Sequence, residues 1–227
     1  QRYFPVQDAA GNLLPHFVVI SNMKAKDPEV IRRGNERVLR ARLNDAEFFY
    51  REDRKRPLAD RVPDLAQVVF QERLGTLQDK TVRLQRLAPW IAERLAPGAR
   101  EVAARAALLA KADLTTAMVK EFTELQGVMG REYARLSGEP PAVCQAIEEQ
   151  YWPRAAGDRL PETPGGAALA LADRLDAIVG CFGVGLVPTG SEDPYGLRRA
   201  AQGVVQILLR RDARLSLDEA VRQAQAA

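Results

Sequence analysis

The stretch "LALADRLDAIVGCFGVGLVPTGSEDPYGLRRAAQGVV", residues 169–205, decides the fold. Its first half is an apolar run carrying Asp173 and Asp176, bounded by glycines and prolines, and it reads as one packed helix. The segment "GVGLVPTGSEDP" then reads as a loop. Beyond it, Asp193 and Pro194 make an N-cap and first-turn pair. Leu197, Ala201, Val204 and Leu208 follow as the buried stripe of a second helix. Arg198 and Arg199 fall off that stripe in its first turns, close to backbone amides that themselves attract anions.

Working outward, the same punctuation recurs. "EVAARAALLAKADLTTAMVKEFTELQGVMGREYARL" and "PPAVCQAIEEQYWP" are helical segments between the breaks "APGAR", "SGEPP" and "YWPRAAGDRLPETPGG". Residues 64–96 read as helices, with Leu77, Leu84, Leu87 and Ile91 at helical spacing. Upstream, Asp27 is an N-cap candidate with Pro28 at the first helical position. Val30, Gly34, Val38 and Ala41 then form an apolar stripe with Arg33, Arg37 and Arg40 on the adjacent face. Those arginines read either as a solvated side laced with Glu29–Arg33 and Glu36–Arg40 pairs or as contacts for RNA phosphates. Only "YFPV" and "HFVVIS", joined by the turn-rich "QDAAGNLLP", make a convincing strand pair, a hairpin over residues 3–21. The pattern predicts a mainly α protein: a β-hairpin, a basic helix and a larger helical domain.

Composition limits the function classes. The 227 residues are 46% hydrophobic, ample for a core, and 28% charged with a net charge of +3. That excess is too small for a chain that coats nucleic acid by itself, so any RNA contact must come from local patches. Cys144 and Cys181 sit in apolar helical settings without metal-like spacing and read as buried thiols of a reducing compartment. No apolar run approaches the roughly 18 to 20 residues of a membrane span, which predicts a cytoplasmic protein with no membrane partner. The chain opens without methionine inside what reads as a hairpin, as expected of a piece of a longer polypeptide.

Four strings carry a resemblance to a known family: "YFPVQDAAGNLLPHFVVISN", "RVLRARLNDAEFFYREDRK", "KADLTTAMVKEFTELQGVMGREYA" and "ADRLDAIVGCFGVGLVPTGSEDPYGLRRAAQGVVQILL". Together, and in this order, they resemble the central part of the β subunit of bacterial heterotetrameric glycyl-tRNA synthetase. The resemblance implies residues 1–26 as the end of a β-rich domain and 27–63 as a basic helical connector. It implies residues 64–212 as a degenerate HD-type helical domain, and 213–227 as the start of a linker towards an anticodon-binding domain. It also implies an α2β2 glycine-tRNA ligase whose α subunit carries the active site with ATP and magnesium, partnered by tRNA-Gly and held together by α–β or β–β contacts. This chain then has no catalytic residues and binds no cofactor of its own.

An HD-type domain that hydrolyses phosphate esters holds a metal through histidines and aspartates, whose lone pairs reach such ions at about 2 Å. The string "ARAALLAKADL" resembles the helix that carries the His-Asp pair, yet Ala110 and Lys111 stand in those places. The only histidine, His16, lies in the hairpin. Asp173 alone does not make a metal site. Lys111 is left to pair with Asp173 or Asp176, or to meet an RNA phosphate. "PTGS" lacks the length and the Lys-Ser/Thr ending of a phosphate loop. Arg198 and Arg199 remain open between RNA contact and ion pairs with Glu192 or Asp193. The functional readings are a tRNA-binding part of a ligase, with Arg33, Arg37, Arg40, Lys111, Arg198 and Arg199 as candidates, or a scaffold that holds subunits together.

Overall fold

The computed structural model describes residues 3–22, 26–190 and 192–227, so Ser191 of "PTGS" lies outside the described residues. Two strands, β1 (Tyr3–Gln7) and β2 (Leu13–Val19), pair antiparallel with Tyr3 opposite Val19. Asp8 shapes their turn: its carboxylate accepts from the amides of Ala10 and Asn12, and Gly11 takes the positive φ of +84° that the reversal needs. Helix α1 (Pro28–Asp53) starts where Asp27 accepts the Glu29 amide at 2.9 Å. Contacts divide the chain into two compact units, residues 1–47 and 48–227.

In the first unit, the apolar stripe expected on α1 is displaced. Val30 and Val38 are 64% and 52% exposed, and nothing lies against Gly34. The half-buried residues include Ile31, Asn35 and Leu39, one helical position on, and Asn35 accepts the Tyr3 hydroxyl. The polar Asn35 on this face is what hid it from an apolar count.

The second unit begins before residue 64. Asp53 is buried, and its carboxylate accepts the amides of Ala117 and Met118 and the Tyr133 hydroxyl, while Leu58 and Leu65 enter the core. A 3-10 stretch, Leu58–Gln67, leads to a second hairpin, β3 (Val69–Gln71) with β4 (Gly75–Thr76), where helix was expected. Gly75 at φ +85° turns the chain. Thr76 then caps α2 (Leu77–Leu95) reciprocally with Asp79, and these local bonds override the helical pattern.

Helices α3 (Arg100–Leu109), α4 (Ala117–Glu121), α5 (Val128–Leu136) and α6 (Pro141–Glu149) follow, then the central α7 (Pro164–Gly183). Helix α7 is apolar nearly all round, which is why it contacts α2, α3 and α6 and also the later α8 (Leu197–Arg210) and α9 (Leu217–Ala226). Leu77, Leu84, Leu87 and Ile91 all face this core. Residues 217–226, expected in a linker, form a helix capped by Ser216 whose Ala220 and Ala224 are buried. No helix among the described residues is long and apolar enough to cross a membrane.

Candidate functional site

Asp173 and Asp176 are three residues apart on α7, so their carboxylates share a face. Lys111, directly after α3, donates to Asp173 Oδ2 at 3.0 Å. The sequence left Asp173 and Asp176 open as its partner, and Asp173 is the one it meets. Lys80 of α2 lies 3.0 Å from Asp173 Oδ1, in ion-pair range but off the hydrogen-bond direction, and donates to Asp176 Oδ2 at 2.7 Å. Arg83 completes the cluster at Asp176 Oδ1, 2.5 Å away. Lys80 and Arg83 were missed in the sequence. The available signal was that Lys80 falls between Leu77 and Leu84 on the buried stripe of α2.

The electrostatics follow from sharing. Burial pushes the Asp173 carboxyl up, but two ammoniums outweigh it and hold it well below the usual carboxylate range. Burial likewise pushes Lys80 down, and its two carboxylates overcome this and raise it. Lys111 has a single carboxylate, already shared with a neighbouring ammonium, so burial wins and lowers it. Nearby, Asp113 is fully buried and accepts the Gly127 amide at 2.7 Å, and burial raises its carboxyl to about 6. Among the described residues, no three His, Cys, Asp or Glu side chains gather to hold a metal. The place beside Asp173 is filled by two ammoniums, which repel a cation. Cys144 and Cys181 are buried free thiols, both raised by burial and so poor nucleophiles.

The arginine candidates stand elsewhere. Arg33 pairs with Glu29 at 3.1 Å, as expected, but Glu36 pairs with Arg32 instead of Arg40. Arg37 and Arg40 are exposed and have no ion-pair or hydrogen-bond partner among the described residues. On α8 the helix starts later than expected: Gly196, left-handed at φ +64°, precedes Leu197, and Pro194 lies in the turn before it. Asp193 still caps the helix, accepting the amides of Leu197 and Arg198 at 2.8 and 2.9 Å. The buried stripe runs through Leu197, Gly203, Val204 and Ile207, with Leu208 half-buried and Ala201 exposed. Arg198 and Arg199 are exposed, and neither forms an ion pair with Glu192 or Asp193 among the described residues. The structure therefore brings Lys111 to the aspartates and leaves the five arginines on exposed helix faces of their two units.

A family model described as the glycyl-tRNA synthetase beta subunit matches residues 1–227. Among curated proteins, the glycine-tRNA ligase beta subunit of Syntrophus aciditrophicus is 56% identical over 221 residues, 97% of this chain and 32% of the relative. Those of Moorella thermoacetica and Photobacterium profundum are 57% identical over 223 residues and 53% over 226 residues, covering 97% and 100% of this chain and 32% of each relative. The chain thus spans about a third of the length of the relatives it matches. With the whole of its described helical core and hairpin inside one family match, the chain belongs to the glycyl-tRNA synthetase β-subunit family.

Proposed function

We propose that this chain is a tRNA-binding and structural part of a glycine-tRNA ligase, acting on tRNA-Gly in the cytoplasm. The observation that carries the reading is the family match along all 227 residues. In this reading an α2β2 enzyme joins glycine to tRNA, with ATP and magnesium at the α subunit, and this chain contributes no catalytic group. Residues 64–212 are then a degenerate HD-type domain in which Lys111 and Lys80 stand where a metal would be. Exposed arginines on α1 and α8 supply the phosphate contacts. A second reading, a scaffold holding subunits together, draws on the exposed Val30, Val38 and Leu43 of α1.

Charge reversal separates the two readings. In the complete two-subunit enzyme, Arg37→Glu with Arg40→Glu, or Arg198→Glu with Arg199→Glu, should weaken binding to cognate and noncognate tRNA alike. Each lost phosphate contact lowers the slope of log affinity against log salt by roughly 0.7 to 0.9. Leu197→Ala, on the buried stripe, should lower stability by about 2 to 5 kcal/mol without touching that slope. Unchanged tRNA affinity after both reversals would leave the scaffold reading.

A further inference from the structure

Beside the lysine-filled pocket, and separated from it by Asp173, lies an open cleft of about 370 Å³. Arg154, Arg174 and Arg199 line it, and none of the three pairs with a carboxylate. Arg154 donates to the carbonyls of Glu124 and Gln126. Arg174 lies buried in the wall and donates to the carbonyls of Gln150, Ala170 and Pro153. Its place depends on Gly203 of α8, where a Cβ would fall 2.5 Å from Arg174 Nε. Arg199 has no hydrogen-bond or ion-pair partner among the described residues. The only carboxylate in the lining is Asp173, and its charge is already held by Lys80 and Lys111. The cleft therefore carries three guanidiniums that no carboxylate of its lining pairs with, Asp173 acting on Arg174 only at a distance.

Two further features narrow the ligand. Tyr195, 46% exposed, stands on the same lining as Arg199 and is an aromatic side chain open to solvent. In the wall, Gln150 Oε1 and Tyr151 Oη are buried without a partner, and the Gln150 amide orientation is settled because its Nε2 donates to the carbonyls of Ala110 and Ile147. Buried polar atoms ordinarily find partners.

We propose that this cleft binds a phosphate ester of mononucleotide size, its phosphate on Arg154 and Arg199 over the Arg174 floor and its base on Tyr195. Guanidiniums suit phosphate through forked hydrogen bonds, and aromatic faces take unstacked bases without sequence preference. The ester is either a free nucleotide or an unstacked nucleotide of bound RNA. Only the RNA source rests on the tRNA reading above.

The test uses the full-length subunit with cytidine 5′-monophosphate and inorganic phosphate as probes, followed by calorimetry and by ³¹P chemical shift. Cytidine monophosphate should bind saturably and more tightly than phosphate. Arg154→Glu and Arg199→Glu should each weaken it by at least about tenfold, the scale of a lost charged hydrogen bond. Tyr195→Ala should reduce the nucleotide to the affinity of phosphate. The milder Arg199→Gln, with the melting temperature recorded for every variant, separates lost binding from lost fold. Displacement of the nucleotide by tRNA-Gly identifies RNA as the source; saturable binding that tRNA leaves intact identifies a free nucleotide. Absence of saturable binding, or binding indifferent to both arginines, overturns the cleft even where reversals on α1 still weaken tRNA.

Discussion

Lys80 and Lys111 hold the two oxygens of one carboxylate: each ammonium lies 3.0 Å from Asp173, Lys80 at Oδ1 and Lys111 at Oδ2. The two are not equivalent, because Lys80 alone also serves Asp176. Lys80→Met deprives two buried carboxylates at once and should destabilise by about 3 to 5 kcal/mol, the scale for breaking a buried ion pair. Lys111→Met leaves Asp173 with Lys80 and removes an ammonium already disfavoured by burial, so its loss should be smaller, about 1 to 3 kcal/mol. Urea unfolding of both variants checks the order. A Lys111→Met loss exceeding that of Lys80→Met would refute the assignment of the shared carboxylate.

Asp113 makes a pH-dependent contribution of known sign. Its folded carboxyl is raised by burial from the ordinary 3.8 to about 6, so the folded protein holds the proton more tightly than the unfolded chain. The associated stability is full below about pH 3.8 and is lost as the pH rises through about 6. The change is on the order of 3 kcal/mol. Asp173, whose carboxyl is lowered, acts oppositely, but its contribution fades only as the pH falls below 3.8. Asp113→Asn keeps an acceptor for the Gly127 amide, so it should remove the loss of stability between pH 4 and 6. Parallel stability curves for the two proteins across that window would contradict the burial argument.

Two helical glycines should respond to alanine with opposite signs. Nothing lies within 4 Å of a Cβ at Gly34 on α1, so Gly34→Ala should stabilise by about 0.5 to 1 kcal/mol through helix propensity. At Gly166 on α7 the added Cβ would sit 2.7 Å from Glu149 Cβ and drive into a carboxylate that accepts the Thr163 amide and hydroxyl. Gly166→Ala should therefore destabilise by about 1 to 3 kcal/mol, the range for overpacking. Thermal melts decide, and a stabilised Gly166→Ala protein would show that α6 and α7 are looser than described.

Dialysis against zinc or manganese followed by elemental analysis should find no equivalent of metal that depends on Asp173. Two ammoniums already occupy the carboxylate, and metal ligands must offer lone pairs that ammonium lacks. One equivalent lost in Asp173→Asn would reverse this conclusion.

Much of the architecture was legible where one residue type carries one role. The β1–β2 hairpin and the Leu77–Leu84–Leu87–Ile91 stripe follow from turn residues and apolar period, whereas the penalty for a lone buried charge narrowed Lys111 only to Asp173, Asp176 or an RNA phosphate. What stayed hidden involves side chains working against type. Lys80 is a cation on a buried stripe, and Asn35 is a polar residue on the face that packs. The β3–β4 pair is too short for alternation to register, and the Tyr195–Gly196 turn delays α8 beyond Asp193. The cationic cleft joins residues from 126 to 200, a proximity that no local spacing encodes.

The double hold on Asp173 also bears on how this protein can change over generations. A histidine in place of Lys111 would still face the Lys80 ammonium 3.0 Å from the same carboxylate, and a change at Lys80 alone would leave Lys111 in position while loosening Asp176. Neither single step creates a cation site, and each passes through a less stable protein. Lys80 on α2 and Lys111 just beyond α3 thus act as a double lock: no single substitution frees Asp173 for a cation, so new chemistry has room to arise on the surfaces of this protein rather than at its buried aspartates.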